Sequence, residues 1–158
     1  MATEVERKFL LASEAWRADS DGGSRIMQGY LANSPGCTVR VRVKGAEAWL
    51  TIKGGANDAA GVQRLEYEYA IPLEDARELL SELAERPFID KVRHIVPVGD
   101  HVWEIDEFGG DNAGLIVAEV ELSDADESFE KPPWVGEEVS DDPRYLNAAL
   151  VKRPFNTW

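Results

Sequence analysis

Seven strand-length stretches of this chain alternate charged residues with apolar ones, and that repetition constrains the fold more than any other feature. In an extended strand successive side chains point to opposite faces. In "EVERKFL" (4–10), Glu4, Glu6 and Lys8 therefore share one face, while Val5, Arg7 and Phe9 share the other. "CTVRVRVK" (37–44) sets Arg40, Arg42 and Lys44 against Val39, Val41 and Val43, and "EAWLTIKG" (47–54) sets Thr51 and Lys53 against Leu50 and Ile52. In "VQRLEYEYAI" (62–71), Arg64, Glu66 and Glu68 alternate with Leu65, Tyr67 and Tyr69. "DKVRHIV" (90–96) opposes Lys91 and Arg93 to Val92, His94 and Val96. "VWEIDEF" (102–108) pairs Glu104 with Asp106, and "LIVAEVEL" (115–122) pairs Glu119 with Glu121 opposite Ala118, Val120 and Leu122.

The period-two pattern predicts eight strands, at 3–11, 25–33, 37–45, 47–54, 62–71, 89–97, 101–108 and 114–122. Turn-rich segments of hairpin length separate several of them, so the sheet should be antiparallel. One helix interrupts the series, at 73–85, with Leu73, Ala76, Leu79, Leu80 and Leu83 on one face, between Pro72 and Pro87. Ser123, with Asp126 three residues on, and Ser140, with Pro143 in the first turn, read as N-caps of short closing helices. No repeat, low-complexity tract or linker divides the chain, so residues 1–158 are expected to form one domain. The fold class is mainly β (α+β): an eight-stranded antiparallel barrel, closed without exposed edges and flanked by a few helices.

Two arrangements satisfy the alternation. The charges can face solvent around a packed core, or they can line the lumen of a barrel whose apolar face is turned outward under helices or a partner. A solvated face mixes polar residue types, whereas the charged positions here are Glu, Arg and Lys with hardly a Ser, Asn or Gln among them. The inward arrangement fits better. More than a dozen buried ions would outweigh the ~5–15 kcal/mol by which a domain is stable unless they compensate one another or hold ions. Such a lumen should be wet and liganded.

The bulk charge narrows the ligand. Seventeen basic against thirty acidic residues give a net charge of −13, which argues against general nucleic-acid binding. Clustered bases on an acidic protein point to a small polyanion. No 18-residue apolar run suggests a membrane helix, and the opening residues lack the basic-then-apolar order of a secretory signal, so a cytoplasmic location is expected. The single cysteine, Cys37, excludes an internal disulfide and reads as a small residue on an apolar strand face. No G-x-x-x-x-G-K-[ST] loop is present, so a phosphate cradle would be made of side chains. Carboxylates without a His or Cys cluster suit Mg2+ or Mn2+, and His94 and His101 are assigned structural roles.

Glu4, Glu6 and Lys8 form an E-x-E-x-K motif, and "ERKFL", "VRVR", "TIKG", "RLEYEY", "DKVRH", "WEID" and "VAEVEL" occur in that order before a closing "PPWVGEEVSDDPRYLNAAL". Over almost the entire chain this resembles the CYTH superfamily, the triphosphate tunnel metalloenzymes, in particular its compact bacterial members. The resemblance implies an eight-stranded tunnel that binds a triphosphate with basic residues and divalent metal with acidic ones. By motif position Lys8, Arg40, Arg42, Lys53, Arg64, Lys91 and Arg93 would contact phosphate, and Glu4, Glu6, Glu66, Glu68, Asp106, Glu119 and Glu121 would supply the metal side. His94 stands where similar members often carry an aromatic residue.

The expected activity is hydrolysis of inorganic triphosphate to pyrophosphate and phosphate, because no added segment is evident for an organic group. Two metals are expected, one held through Glu119 and Glu121 and one near Glu4 and Glu6, with the second activating water. Lys91 would orient that water or neutralise the leaving phosphate, and Tyr30 in "MQGYL" would either reach the lumen or pack in the barrel. Thiamine triphosphate hydrolysis, nucleoside or RNA 5′-triphosphate hydrolysis, and cyclisation of ATP remain open, with Trp49 or Trp103 available to stack on a ring. A non-catalytic polyphosphate-binding module is the reading from another class, and the full acidic set argues against it. Outward apolar faces allow a homodimer. Arg7, pointing with the apolar set, has no assigned partner.

Overall fold

The computed structural model describes residues 3–55 and 60–158. Nine strands are present among them: β1 (Thr3–Leu11), β2 (Ser24–Ser34), β3 (Cys37–Lys44), β4 (Glu47–Gly54), β5 (Gln63–Ala70), β6 (Ile89–Val98), β7 (His101–Phe108), β8 (Ile116–Glu121) and β9 (Val135–Glu138). The sheet order is β5-β4-β3-β2-β6-β7-β8-β1-β9, and β5 also pairs with β1, so the first eight strands close into an antiparallel barrel. All eight expected strands form, within a few residues of the predicted limits.

Closure explains the ninth strand. Thr3–Val5 of β1 pairs with Gln63–Leu65 at the start of β5, so beyond Val5 no β5 residue covers that edge of β1. β9 takes it over, with Phe9 opposite Glu138 and Leu11 opposite Val135. Gly136 permits the contact, since a Cβ there would lie 2.9 Å from the Leu10 carbonyl oxygen. Arg7 finds its partner here: Nε and Nη2 donate to the Glu138 carboxylate at 2.9 and 2.5 Å, and the guanidinium lies over the Phe129 ring.

The apolar faces are turned outward, as the charge pattern predicts. Helix α1 (Leu73–Glu82) covers β2, β3 and β4 through Ala76 and Leu80, packed on Val41 and Ala48. It approaches β2 closely, because a Cβ at Gly29 would meet Leu80 and Ala84 at under 3 Å. Leu83, expected on the apolar face, instead caps the helix and is exposed. Val5, Phe9, Val96, Trp103, Ile105, Ala118 and Val120 form a second outer cluster under Trp16 and Trp134. Trp103 is thus packing, outside the lumen. Tyr67 and Tyr69 on β5 stay 41% and 55% exposed. Among the described residues no helix is long and apolar enough to cross a membrane.

Two expected caps do not form, and one thiol is misplaced. No helix follows Ser123; its N–H and hydroxyl both donate to Glu127, whose other oxygen meets His101, so a side-chain clamp replaces the helical turn. Asp142, not Ser140, accepts from the Arg144 N–H at the start of the 3₁₀ turn Pro143–Tyr145, which leads into α2 (Asn147–Lys152). The Ser140 hydroxyl is occupied by the Lys8 N–H and by Glu138. Cys37 is exposed at the start of β3.

A third cluster floors the barrel. Along β6, β7 and β8 the inward series ends on Ile89, Phe108 and Val117, which pack with Tyr30 and with Tyr145, Leu150 and Val151 of the C-terminal segment. The charged lumen therefore lies above an apolar stopper.

Candidate active site

The lumen is a cavity of about 230 Å3. Six strands place the E-x-E-x-K, "VRVR", "TIKG", "RLEYEY", "DKVRH" and "VAEVEL" charges on its wall: Glu4, Glu6 and Lys8; Arg40 and Arg42; Lys53; Arg64, Glu66 and Glu68; Lys91 and Arg93; Glu119 and Glu121. Tyr30 also lines it, with its ring anchored in the apolar floor. Glu104, absent from the sequence-derived site, faces the same space, although the alternation in "WEID" already pairs it with Asp106. Thr38 and Asn147 complete the wall and carry no charge for a pattern to reveal.

Strand order sorts these charges. Going round the barrel, β7, β8, β1 and β5 are consecutive and carry all the inward carboxylates named above, together with Lys8 and Arg64. The remaining run, β4, β3, β2 and β6, carries Lys53, Arg40, Arg42, Lys91 and Arg93. The lumen is bipolar, with an acidic arc facing a basic arc.

The arcs neutralise each other mainly where they meet, with a longer reach from Arg40 to Glu68 at 3.8 Å. At one junction Lys53 Nζ lies 2.9 Å from Glu4 and 3.4 Å from Glu66. At the other, Arg93 donates to both Asp106 oxygens at 2.8 and 2.9 Å and to Glu104 at 2.9 Å. Asp106 also accepts from Lys91 Nζ at 2.7 Å, and both side chains are 1% exposed. Three hydrogen bonds from two cations, Lys91 and Arg93, hold the Asp106 carboxyl far below the usual carboxylate range despite its burial. The structure thus places Asp106 behind the bases, pinning Lys91 and Arg93.

Away from the junctions each arc carries surplus charge. Glu6 stands opposite Glu121 across the β1–β8 ladder, and Glu104 stands opposite Glu119 across β7–β8. Like charges directly opposed destabilise a sheet. Burial, with Glu119 and Glu4 beside it, pushes the Glu6 carboxyl up to about 8, and Glu121 is raised for similar reasons. Glu119 is drawn down to about 2: burial opposes its ionisation, but Lys8, 3.4 Å away, overrides it. On the basic arc burial lowers Lys91 to about 7, opposed by Asp106, and lowers Arg42 to about 10, with Arg40 and Arg93 adding repulsion. Arg40 Nη2 donates to Thr51 at 3.2 Å, while its Nε is buried without a hydrogen-bond partner. An unpaired buried donor is costly, and an anion in the lumen is the group that would satisfy it.

The donor set on the acidic arc is all oxygen. His94 and His101 lie elsewhere: His94 bonds Ser20 and Glu107 and packs on Trp16, and His101 meets Glu127. Among the described residues no three acidic, His or Cys groups already converge as a closed metal cage. Surplus carboxylates spread along an arc, with Glu6 raised by burial and by the neighbouring Glu119 and Glu4, fit a hard divalent cation that shares its coordination with water and phosphate oxygens.

Comparison with known proteins agrees with this geometry. The model of the CYTH domain matches residues 2–153. The chain belongs to the CYTH family. Two relatives of this CYTH protein are named inorganic triphosphatase. One, from Acetivibrio thermocellus, is 43% identical over the whole of this chain and 99% of its own; the other, from Nitrosomonas europaea, is 36% identical over 94% of this chain and 97% of its own. A crystal structure of an inorganic triphosphatase superposes with a TM-score of 0.64 at 34% identity, covering 96% of this chain and 95% of that one. A Pyrococcus horikoshii protein, at 19% identity and a TM-score of 0.61 over 77% of this chain and 79% of its own, shares the fold. Membership in a triphosphatase branch of the CYTH family implies a divalent-metal requirement.

Proposed function

We propose that this CYTH protein hydrolyses inorganic triphosphate to pyrophosphate and phosphate, with Mg2+ or Mn2+ on the acidic arc. The bipolar lumen carries the reading. A phosphate chain laid on the basic arc leaves its outer oxygens facing carboxylates across a cavity of about 230 Å3, an arrangement that is stable only with a cation between them. The names of the two full-length relatives support the same substrate.

Phosphoryl transfer demands positioning and charge neutralisation more than covalent chemistry. Arg40, Arg42 and Arg93 supply forked donors to phosphate oxygens, and Lys8, Lys53 and Arg64 close on the chain from the flanks. Glu4, Glu6, Glu119 and Glu121 would hold the cation or cations, with Glu66 and Glu68 at the edge of the same arc. A divalent ion held there would neutralise developing charge and lower the pKa of the attacking water. Lys91, lowered to about 7 by burial against the opposing pull of Asp106, would stabilise the leaving phosphate as an ammonium. Tyr30, opposite Arg40 in the β2–β3 ladder, lines the same cavity. Asp106 keeps Lys91 and Arg93 charged and aimed.

One observation favours a second substrate class. A mostly apolar recess of about 460 Å3, lined by Pro35, Pro143, Leu146 and Ala149, shares Thr38, Arg64, Leu146 and Ala148 with the lumen and has room for an organic substituent. The test is therefore a panel: tripolyphosphate, thiamine triphosphate, ATP and a 5′-triphosphorylated RNA, each with Mg2+ or Mn2+, scored for phosphate, pyrophosphate and cyclic AMP. Tripolyphosphate should be turned over fastest. No turnover of any of them under either metal sinks the enzymatic reading and leaves a polyphosphate-binding module.

A further inference from the structure

At the junction between the charged lumen and its apolar floor lie two neutral amides that neither the charge pattern nor the proposed chemistry uses. Gln28, on β2, is fully buried. Its Oε1 accepts from Arg42 Nε at 2.8 Å, and its Nε2 donates to Asn147 Oδ1 at 3.0 Å. Asn147, the first residue of α2, lines the lumen, and the same Oδ1 accepts from Lys91 Nζ at 2.8 Å. An unbroken chain of hydrogen bonds thus runs Arg42–Gln28–Asn147–Lys91–Asp106–Arg93.

The need for such a chain follows from the charges. Arg42, Lys91 and Arg93 repel one another in a buried space, and only the last two share a carboxylate. Among the described residues Arg42 makes no ion pair, so Gln28 is what fixes its plane. The Lys91 ammonium has three donors. Asp106 takes one, Asn147 takes another, and the Phe108 ring lies 5.5 Å from the nitrogen on the floor side. Without Asn147 the amine can rotate toward Asp106 alone, and Gln28 loses the acceptor that orients its amide.

We infer that Gln28 and Asn147 are positioning residues: they set where Arg42 and Lys91 meet the phosphate chain, and Asn147 makes that setting depend on docking of the C-terminal segment. The role rests on the triphosphatase reading for its kinetic consequence but not for its structural one. A misplacement of about 1 Å in a positioned group can cost about a hundredfold in rate. Asn147→Ala should lower kcat on tripolyphosphate at least tenfold with KM changed less than threefold and an unchanged thermal midpoint. Asn147→Asp, which keeps the acceptor, should restore at least a third of kcat. Gln28→Glu keeps the acceptor for Arg42 and loses the donor to Asn147; combined with Asn147→Ala it should cost no more than Asn147→Ala alone.

Crystal structures of the wild-type protein and Asn147→Ala give a readout that does not require turnover, with Lys91 Nζ expected to shift by more than about 1 Å. An unmoved Lys91, an unchanged kcat, or a kcat that falls with the thermal midpoint and is not rescued by aspartate overturns the assignment. If wild type turns over no triphosphate, the functional reading fails while the position of Lys91 still decides this one.

Discussion

Glu6 shows how the site holds stability in reserve. Its carboxyl, raised to about 8 by burial and by Glu119 and Glu4, is more easily protonated in the folded protein than at its ordinary value of 4.5. A raised pKa contributes stability that is fully present below the unfolded value and is lost as pH rises through the folded one. The metal-free protein should therefore lose thermal stability between about pH 5 and 9, and Glu6→Gln should flatten that slope. At pH 9 the variant should melt about 2–4 °C or more above wild type, each kcal/mol being worth roughly that in a domain of this size. The same substitution removes a carboxylate proposed for the metal side and should lower kcat about a hundredfold or more. Melting curves across pH and steady-state kinetics check the two halves separately. Arg42 lies on the other arc. Drawn down only to about 10, it stays charged at neutral pH, so Arg42→Ala removes a charge-assisted contact of about 1.5–3 kcal/mol and should raise KM roughly ten- to a hundredfold, with kcat less affected.

At the scale of elements, β9 is paired on one side only, with β1, and Arg7 is what fastens it. Its two-pronged bond to Glu138 is partly buried and lies outside the lumen. Arg7→Ala should cost about 1–2 kcal/mol, seen as a fall of about 2–8 °C in thermal midpoint, with KM for triphosphate within twofold of wild type. A large KM change would mean that the β1–β9 seam shapes the lumen directly. β9 also marks where the sequence stops being readable. The other strands announce themselves through a repeated alternation, whereas "VGEE" has no such period and exists because β5 leaves an edge of β1 open. The supposed cap at Ser123 misled because Glu127 satisfies the Ser123 N–H without any helix. Glu104 was legible in "WEID", since the same alternation that selects Asp106 selects it. Gln28 and Asn147 were not, because a neutral amide has the same appearance in a loop, a core or a network, and only tertiary contact reveals its use. The partition into two arcs was equally hidden: it depends on which strands are neighbours, and that is fixed by closure of β5 on β1.

For the whole molecule the question is how a chain of net charge −13 admits a polyanion. The basic arc supplies a local attractive field, but across the lumen the acidic arc repels whatever the bases attract. Anion alone and metal alone each leave one arc uncompensated. Together they close the circuit of charge, so each should tighten the other by the same factor. An imido analogue of triphosphate, whose bridges resist hydrolysis, makes this measurable by thermal shift. Analogue with EDTA, or Mg2+ without analogue, should move the midpoint by no more than about 2 °C. Both together, near a hundred times their dissociation constant, should add about 2.7 kcal/mol, or about 5–10 °C. Raising ionic strength from about 0.05 to 0.5 M should reduce the analogue's association rate, because the steering field is screened beyond a Debye length, while the buried contacts that set the dissociation rate are screened less. If the analogue in EDTA stabilises the protein as much as it does with Mg2+, the carboxylates are not the anion's counterpart through a cation. The acidic arc would then have to be explained by its lysine pairs alone, Lys53 with Glu4 and Glu66 and Lys8 with Glu119. Glu6, which makes no ion pair among the described residues and whose carboxyl burial raises to about 8, is the residue that makes this outcome unexpected.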